Sequence, residues 1–393
     1  MTITERWSTH PRQFWLRGEQ PPEPVRFDAD NGIWHVYGYS LAQRLLADPR
    51  TFSSHTGRLV PEADEFSAGS LTQLDPPRHT KLRKLVNQAF TPRVVAALEP
   101  RITTVATDLL EAADQDRIDL VADFAYPLPV IVIAELLGVP SSDRDLFHRW
   151  VDAMFSHSSE FSLHERSHEE EQQLQESLRP VKEMGAYIAE HAARRRREPR
   201  EDLLTRLVEA EVDGVRLTDQ EVVNFANLLL IAGHITTTML VGNTVMCLDA
   251  HPQERARVQA DRSLVPAAIE ESLRVLTPFP VVARVTNAET DLGGQAIGAN
   301  QLVMVWVAAA NRDPRQFVRP DVFSIDRDPN PHLAFGRGIH FCVGAPLARL
   351  EGKVATNLLL DRYPRLRVDP QDPPVFLPTP NMTGAQRLPL LLT

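Results

Sequence analysis

The chain has 393 residues, of which 43% are hydrophobic and 24% are charged. This composition is typical of a globular protein with a large core and excludes a wholly disordered or fibrous chain. The net charge of −10 argues against a general nucleic-acid-binding protein, so no nucleic-acid partner is expected. The two cysteines, Cys247 and Cys342, are too few for a disulfide framework or a structural zinc site of several cysteines.

The N-terminal residues contain no apolar segment of signal-peptide length, and residues 1–25 are predicted to be irregular. The longest apolar stretch, residues 225–248, is long enough to cross a bilayer. Polar residues such as Asn227, His234 and Asn243 interrupt it. We interpret it as a buried helix and expect a soluble, cytoplasmic protein without a membrane anchor.

Hydrophobic periodicity predicts a strand at residues 33–37 and then a helix at 41–47. Residues 56–70, rich in glycine, serine and acidic residues, are predicted to form a loop. Four consecutive arginines at 194–197 are interpreted as a solvated helix end that the helix dipole favours. Further helices are predicted over residues 79–89, 94–113, 130–137, 143–155, 169–197 and 202–211.

The central helix has the clearest sequence signal. Thr218 and Glu221 have the spacing of a capping box, and the helical pattern continues to about residue 250, just before Pro252. A helix of this length spans roughly 46 Å. Because it is apolar on most sides, we expect it to cross the core.

The later part of the chain changes in character. Strands are predicted at residues 281–285 and 302–307, a proline-rich meander at 311–331 and a last helix at 345–363. The predicted fold class is mainly α. We expect one large domain, residues 1–393, with small β-sheets near both ends of the chain.

The most informative segment is residues 335–344, which read FGRGIHFCVG. Its glycines allow the backbone to approach a flat group closely, and a helix is predicted to begin just after Cys342. Free N–H groups at a helix N-terminus stabilise a thiolate, which suits haem iron because the porphyrin fills four of its positions. A nucleophilic cysteine with His340 as its base, or a structural cysteine, remains open on the residues alone.

This segment resembles the haem-binding signature of the cytochrome P-450 superfamily, Phe-Gly-x-Gly-x-His/Arg-x-Cys-x-Gly, at every fixed position. Residues 271–274, ESLR, resemble the family's Glu-x-x-Arg motif. Residues 232–237, AGHITT, resemble its oxygen-binding stretch. Residues 75–83, DPPRHTKLR, resemble the start of its haem-facing C helix. The resemblance covers about residues 30 to 390 and implies the cytochrome P-450 fold.

The resemblance implies haem b (iron protoporphyrin IX) as the cofactor, with the Cys342 thiolate as the ligand of the iron. Phe335 would pack beside the sulfur, and Gly338 and Gly344 would let the backbone pass close to the porphyrin. The positions that match the residues binding the haem propionates are His79, Arg83, Arg284 and His340.

Three more positions take roles on the distal side by the same resemblance. Thr236 would be the hydroxyl that hydrogen-bonds dioxygen, and Ala232 and Gly233 would leave space above the iron. The acid that usually precedes this threonine is replaced by Ile235, so water, a substrate group or a residue elsewhere must deliver protons. A buried structural ion network is expected of Glu271, Arg274 and Arg327.

The function implied is that of a soluble haem-thiolate monooxygenase of bacterial type. One atom of dioxygen would enter a hydrophobic small molecule, such as a polyketide, terpenoid or fatty-acid derivative, and the other would leave as water. Because the chain has no room for a redox domain, electrons would come from a separate ferredoxin or flavodoxin with its reductase. The basic face expected to dock this partner comprises Lys81, Lys84, Arg337 and Arg349.

Substrate contacts are expected from five segments, at residues 56–70, 147–162, 229–232, 279–282 and 381–383. Because of Ile235, a peroxide-driven or otherwise atypical oxidation is an alternative function. A non-catalytic haem-binding sensor is a second alternative, against which the intact Thr236 and the lack of an output domain count.

Overall fold

A computed structural model describes residues 9–21, 23–59, 70–114, 116–155, 168–212 and 214–393. Parts of two segments expected to contact substrate, residues 60–69 and 156–162, therefore lie outside the described residues. The same holds for residues 1–8 of the predicted irregular N-terminal segment.

Helices dominate the described chain. They are α1 (Tyr39–Ala47), α2 (Arg78–Ala89), α3 (Pro92–Ala96), α4 (Glu99–Ala112), α5 (Pro127–Leu137), α6 (Arg144–Phe155), α7 (His168–Arg197), α8 (Leu203–Glu209), α9 (Asp219–Ala250), α10 (Pro252–Ala260), α11 (Val265–Val275), α12 (Val307–Ala310) and α13 (Ala345–Arg362).

The strands are short. They are β1 (Val25–Asp28), β2 (Ile33–Val36), β3 (Phe52–Ser53), β4 (Arg117–Asp119), β5 (Glu211–Val212), β6 (Val215–Arg216), β7 (Val282–Thr286), β8 (Thr290–Leu292), β9 (Gln295–Ile297), β10 (Leu302–Val305), β11 (Arg367–Val368), β12 (Val375–Phe376), β13 (Ala385–Arg387) and β14 (Pro389–Leu391).

Strands from both ends of the chain meet in the largest sheet, whose order is β1-β2-β10-β7-β3. The neighbours β2 and β10 are parallel, and the other pairs are antiparallel. A three-stranded sheet, β11-β14-β4, ties the C-terminal residues to the middle of the chain. The prediction of a mainly helical fold with small sheets is confirmed.

The central helix α9 begins as the capping box predicts. The Thr218 hydroxyl accepts a hydrogen bond from the Glu221 amide (3.2 Å), and the Glu221 carboxylate accepts one from the Thr218 amide (2.8 Å). The helix packs against α5, α7, α11 and α13. Within the described chain, α9 is the helix long and apolar enough to cross a membrane, and 72% of its most apolar window is buried in the fold. It is therefore a core helix, as the polar interruptions in its sequence predict.

The single helix predicted over residues 94–113 is wrong, because two helices, α3 and α4, occupy this stretch. Pro100 lies in the first turn of α4. A proline ring clashes with the carbonyl four residues earlier and donates no hydrogen bond, so α3 cannot continue through it. The same residue is well suited to the first turn of a new helix.

The expectation of a fully solvated arginine run at 194–197 is also wrong for one member. Arg195 is only 4% exposed and forms an ion pair with Asp202. Its guanidinium also donates to the carbonyl of Gly138, at the end of α5. Arg195 therefore connects the end of α7 to Asp202 and to the end of α5. The other three arginines are exposed, as expected.

A turn at residues 380–383 is held from two sides. The buried Gln13 amide donates to the Met382 carbonyl (2.8 Å) and to the Thr383 hydroxyl (3.1 Å). From the central helix, Asn243 donates to the Thr383 carbonyl (2.9 Å). The N-terminal segment and α9 together fix this turn, which was expected to contact substrate.

Candidate active site

The segment around Cys342 folds into a tight loop before α13, which we call the Cys loop (residues 335–344). The Cys342 amide donates to the Phe335 carbonyl (2.9 Å) and closes it. Gly338 has a φ of +71°, and a Cβ there would lie 2.5 Å from the Leu46 carbonyl oxygen. The contact that requires glycine at this position is therefore with α1. A Cβ at Gly344 would lie 3.9 Å from the Cys342 sulfur, in ordinary contact.

The Cys342 side chain is exposed, although protein atoms surround it on most sides. The sulfur is therefore reached from one side, at the bottom of a recess. Burial raises the pKa of the thiol, whereas the amide groups of Gly344 and Ala345 and the guanidinium of Arg83 lower it. These groups stabilise a thiolate, and a metal ion that binds the sulfur removes its proton outright.

A cluster of basic side chains converges beside this recess. The rings of His79 and His340 lie 4.3 Å apart between their centroids. Burial, together with Arg284, His79 and Arg83, lowers the pKa of His340 to about 3. Burial also lowers the pKa of Arg284 to about 10. The four predicted propionate-binding residues are thus brought together, and they oppose one another's charge.

The carboxylate of Asp75 attracts Arg284, but hydrogen-bonding groups of this cluster stay without partners in the described chain. Within the described residues, both ring nitrogens of His79 are buried without a hydrogen-bond partner. Arg284 is 8% exposed, and its recorded hydrogen bond goes to the carbonyl of Ala283 (2.7 Å). Buried cations require counter-charges. A dianionic group such as the two propionates of haem fits these donors, and an iron fits the adjacent sulfur.

Two of these residues also make bonds of their own to the protein. Arg83 donates from α2 to the Phe341 carbonyl (2.6 Å) and to the Asn87 side chain (3.0 Å). His340 shares a hydrogen bond of 2.7 Å with the Ser54 hydroxyl. Arg83 therefore ties α2 directly to the Cys loop.

One stripe of the otherwise buried central helix is uncovered. Ala232 is exposed, and Leu228 and Thr236 are partly exposed. Residues four apart share a face of a helix, so these three side chains form one face that the rest of the described protein leaves uncovered. The Thr236 hydroxyl lies on it and donates to the Ala232 carbonyl (2.9 Å).

The structure gives the partly exposed Gly233 a packing role in addition to the expected one. A Cβ at this position would lie 2.9 Å from Cγ1 of Ile133 on α5. Gly233 thus allows two helices to pack closely, and its neighbour Ala232 is the more exposed of the two. Ile235 is 7% exposed and packs in a small apolar cluster with Met239 and Met382.

The expected ion network is assembled in full. Arg274 donates to both carboxylate oxygens of Glu271, at 2.7 and 2.8 Å, and both side chains are 0% exposed. Arg327 joins at 3.2 Å. The meander contributes two further donors, the Ser324 amide (3.0 Å) and the Asn330 side chain (3.1 Å). The network therefore attaches the meander to α11.

Sequence reasoning missed two acids, the half-buried Glu270 and the buried Glu351. Glu270, next to Glu271, binds Arg349 and His332. Glu351 is 1% exposed, and burial raises its pKa to about 8 against a hydrogen bond with Thr237. Burial thus favours the protonated form of Glu351, which lies beside Thr237, the residue that follows Thr236. Their partners are far away in sequence, so no local pattern marks them.

Cys247 is fully buried in the core, and burial raises its pKa to about 12. It packs as a small buried hydrophobe, which leaves Cys342 as the cysteine beside the basic cluster.

The expected docking face is only partly free. Lys81, Lys84 and Arg337 are exposed, as such a face requires, whereas Arg349 is engaged in an ion pair.

A family model described as Cytochrome P450 matches residues 30–392. The chain belongs to the cytochrome P-450 family. This P-450 is 43% identical to cyclomarin C epoxidase CymV of Salinispora arenicola, over 95% of this chain and 94% of the relative. It is 41% identical to the erythromycin C-12 hydroxylase of Saccharopolyspora erythraea, over 96% and 93%.

The crystal structure of the hydroxylase HmtN, involved in himastatin biosynthesis, is similar along the whole length of both chains. The TM-score is 0.88 and the sequence identity 52%. The fold is thus the cytochrome P-450 fold that the motifs implied. This P-450 is a haem-dependent monooxygenase that acts on a small molecule with dioxygen and separate redox partners.

Proposed function

We propose that this P-450 inserts one oxygen atom into a hydrophobic secondary metabolite of the polyketide or macrolide type, with the Cys342 thiolate holding the iron of haem b. The observation that carries the proposal is the exposed Cys342 sulfur beside a basic cluster in which, within the described chain, both ring nitrogens of the buried His79 lack a hydrogen-bond partner. That combination fits an iron and two carboxylates, which would give the buried Arg284 a counter-charge and the imidazoles of His79 and His340 a hydrogen-bond acceptor.

The haem, when bound, supplies the reductive activation of dioxygen, and the chain supplies the surroundings. Cys342 donates electron density to the iron. His79, Arg83, Arg284 and His340 neutralise the propionates. Thr236 Oγ1 offers a hydroxyl proton on the uncovered stripe of α9. Glu351, on the neighbouring helix α13, hydrogen-bonds to Thr237 rather than to Thr236.

The substrate class is supported by the relatives and by the uncovered stripe. The similar proteins are named for an epoxidation of cyclomarin C, a hydroxylation of erythromycin and himastatin biosynthesis. The stripe exposes Leu228, Ala232 and a single hydroxyl, from Thr236. An apolar surface with few polar groups suits a large hydrophobic molecule.

The electron donor is proposed to be an acidic ferredoxin or flavodoxin. Lys81 and Lys84 on α2 and Arg337 in the Cys loop are exposed. A basic face on a chain of net charge −10 favours an acidic partner through charge complementarity.

Carbon monoxide and isotope labelling test the function. The reduced protein with carbon monoxide is expected to show the red-shifted Soret band of a thiolate-ligated haem. The substrate for turnover is the compound that gives the largest low-to-high-spin shift in a panel of macrolides, terpenoids and fatty acids. Its product should gain one ¹⁸O atom from ¹⁸O₂ and none from H₂¹⁸O. Absence of the band, or label arriving from water, contradicts the proposal.

A peroxide-driven oxidation is the second candidate, because Ile235 lies in an apolar cluster and cannot relay a proton. A positioned general acid contributes about 10²–10⁴-fold to a rate. We therefore expect Ile235→Glu to raise the fraction of reductant electrons recovered in product several-fold. Ile235→Gln, of similar size but without an acid, is the control.

Unchanged coupling in Ile235→Glu would show that the usual acid route is not what this enzyme lacks. Product formation from hydrogen peroxide without a reductase, faster than with dioxygen and a reductase, would favour the peroxide-driven function. Both measurements use the same spin-shifting substrate.

A further inference from the structure

Glu270 on α11 binds residues that lie before and after Cys342 in the chain. Arg349, on α13 after the Cys loop, donates to both of its carboxylate oxygens, at 2.7 and 2.9 Å. His332, just before the loop, contacts the same carboxylate through Nε2 at 3.0 Å. Glu270 thus joins two segments that are 62 and 79 positions away in the chain.

A second contact links the Glu270–Arg349 pair to Cys342. The Arg349 guanidinium lies 4.4 Å from the centre of the Phe335 ring, on its face. Such an arrangement attracts the cation to the ring and fixes both. The Phe335 carbonyl in turn accepts the Cys342 amide hydrogen bond. Glu270, Arg349, Phe335 and Cys342 therefore form one continuous series of contacts.

The charges in this series are permanent. Burial raises the pKa of Glu270, but hydrogen bonds from Arg349 and His332 outweigh it and bring the pKa down to about 2. The same pairing raises the pKa of Arg349. The two planar groups meet with two parallel hydrogen bonds, which fixes direction as well as distance.

We propose that Glu270, Arg349 and His332 form a clasp that holds the Cys loop in the conformation in which Cys342 can bind iron. These are positioning residues, because none of them touches the reacting atoms. The clasp is separate from the Glu271 network, which uses the next residue of the same helix to anchor the meander. The inference rests on the proposed ligation of iron by Cys342.

The physical reason is that a metal ligand on a loop needs support from outside. Loss of an outer partner of a metal ligand typically lowers metal affinity or activity about 10–100-fold. Without the clasp, Phe335 loses the cation over its ring, and both ends of the loop gain freedom. The sulfur should then leave the iron more readily, while the helices remain folded.

The test measures the rate at which the reduced carbonyl complex loses its red-shifted Soret band in mild denaturant. Dithionite serves as the reductant, so partner docking does not enter the measurement. The variants are Glu270→Gln, Arg349→Gln, the double variant and Arg349→Lys. Far-ultraviolet circular dichroism is followed in the same samples to report helix content.

We expect each single substitution to speed the loss of the band by about tenfold or more with unchanged helix content. In the double variant the two accelerations should combine to less than their product, because the substitutions share the Glu270–Arg349 pair. Arg349→Lys should resemble Arg349→Gln, since an ammonium cannot form two parallel bonds. The matched control is Lys353→Gln, which removes a cation from the same helix whose partner is the exposed Glu99 (3.3 Å), and it should behave as wild type.

Three results would overturn the clasp. They are a wild-type rate in both single variants, effects that multiply in the double variant, and helix loss in step with the band. If Glu270→Gln purifies with little haem, His332→Gln leaves the Glu270–Arg349 pair in place and must still speed the loss. A wild-type protein without the red-shifted band would instead contradict the ligation by Cys342, so the two failures are distinguishable.

Discussion

Cys342→Ser should abolish both the red-shifted Soret band of the carbonyl complex and monooxygenase turnover. A thiol bound to a metal is deprotonated, whereas a serine hydroxyl is a harder and far less acidic group. Losing an outer partner of a metal ligand already lowers affinity or activity about 10–100-fold, so loss of the ligand itself should exceed that. The measurements are the carbonyl difference spectrum and product formation with the spin-shifting substrate.

Cys247→Ala is the matched control because it removes the other sulfur from the core. It should retain the band and turnover, with a loss of stability on the order of 1 kcal/mol. If Cys342→Ser kept the native spectrum, or if Cys247→Ala lost it, the iron ligand would have been assigned to the wrong residue.

Glu271→Ala should yield little haem-loaded protein. Both partners of the Glu271–Arg274 pair are fully buried, and the substitution leaves the Arg274 charge with only backbone carbonyls of residues 311, 320 and 322 as acceptors. Breaking a buried pair in this way costs about 3–5 kcal/mol. Because the total stability of a protein is about 5–15 kcal/mol, a large part of it is lost. Denaturant titration and the ratio of haem to protein absorbance measure the effect.

An exposed acid in an ion pair gives the comparison. Asp361 pairs with Arg262 at 2.8 Å, and its side chain is 64% exposed. Asp361→Ala should change the free energy of unfolding by less than about 1 kcal/mol, because solvent screens such pairs. Equal unfolding midpoints for Glu271→Ala and Asp361→Ala would contradict a structural role for the buried network.

Local signals in the sequence predict the elements that depend on neighbouring residues. The capping box at Thr218 predicts the start of α9, and the resemblance of residues 335–344 leads to the Cys loop and the helix behind it. The prediction failed where an obvious local signal was overlooked, as with Pro100, whose position marks the start of a new helix.

Interactions between distant residues could not be predicted in this way. Arg195 looks like its exposed neighbours in sequence, and its burial depends on Gly138, which is 57 positions away. Gly233 has the residue type expected for an open space, yet its neighbour is Ile133. No local sequence pattern predicts the role of Glu270, because its two partners come together only once α11, α13 and the meander have packed.

The Gln13 side chain has a consequence for the order in which the molecule is completed. Its bond to the Met382 carbonyl joins positions 369 residues apart, nearly the full length of the chain. The chain loses conformational entropy when so long a loop closes, and this loss comes before the hydrogen bond can contribute to stability. During synthesis on the ribosome, the turn at 380–383 can therefore gain this support only after almost all other residues have been made, so it is among the last parts of the fold to be completed.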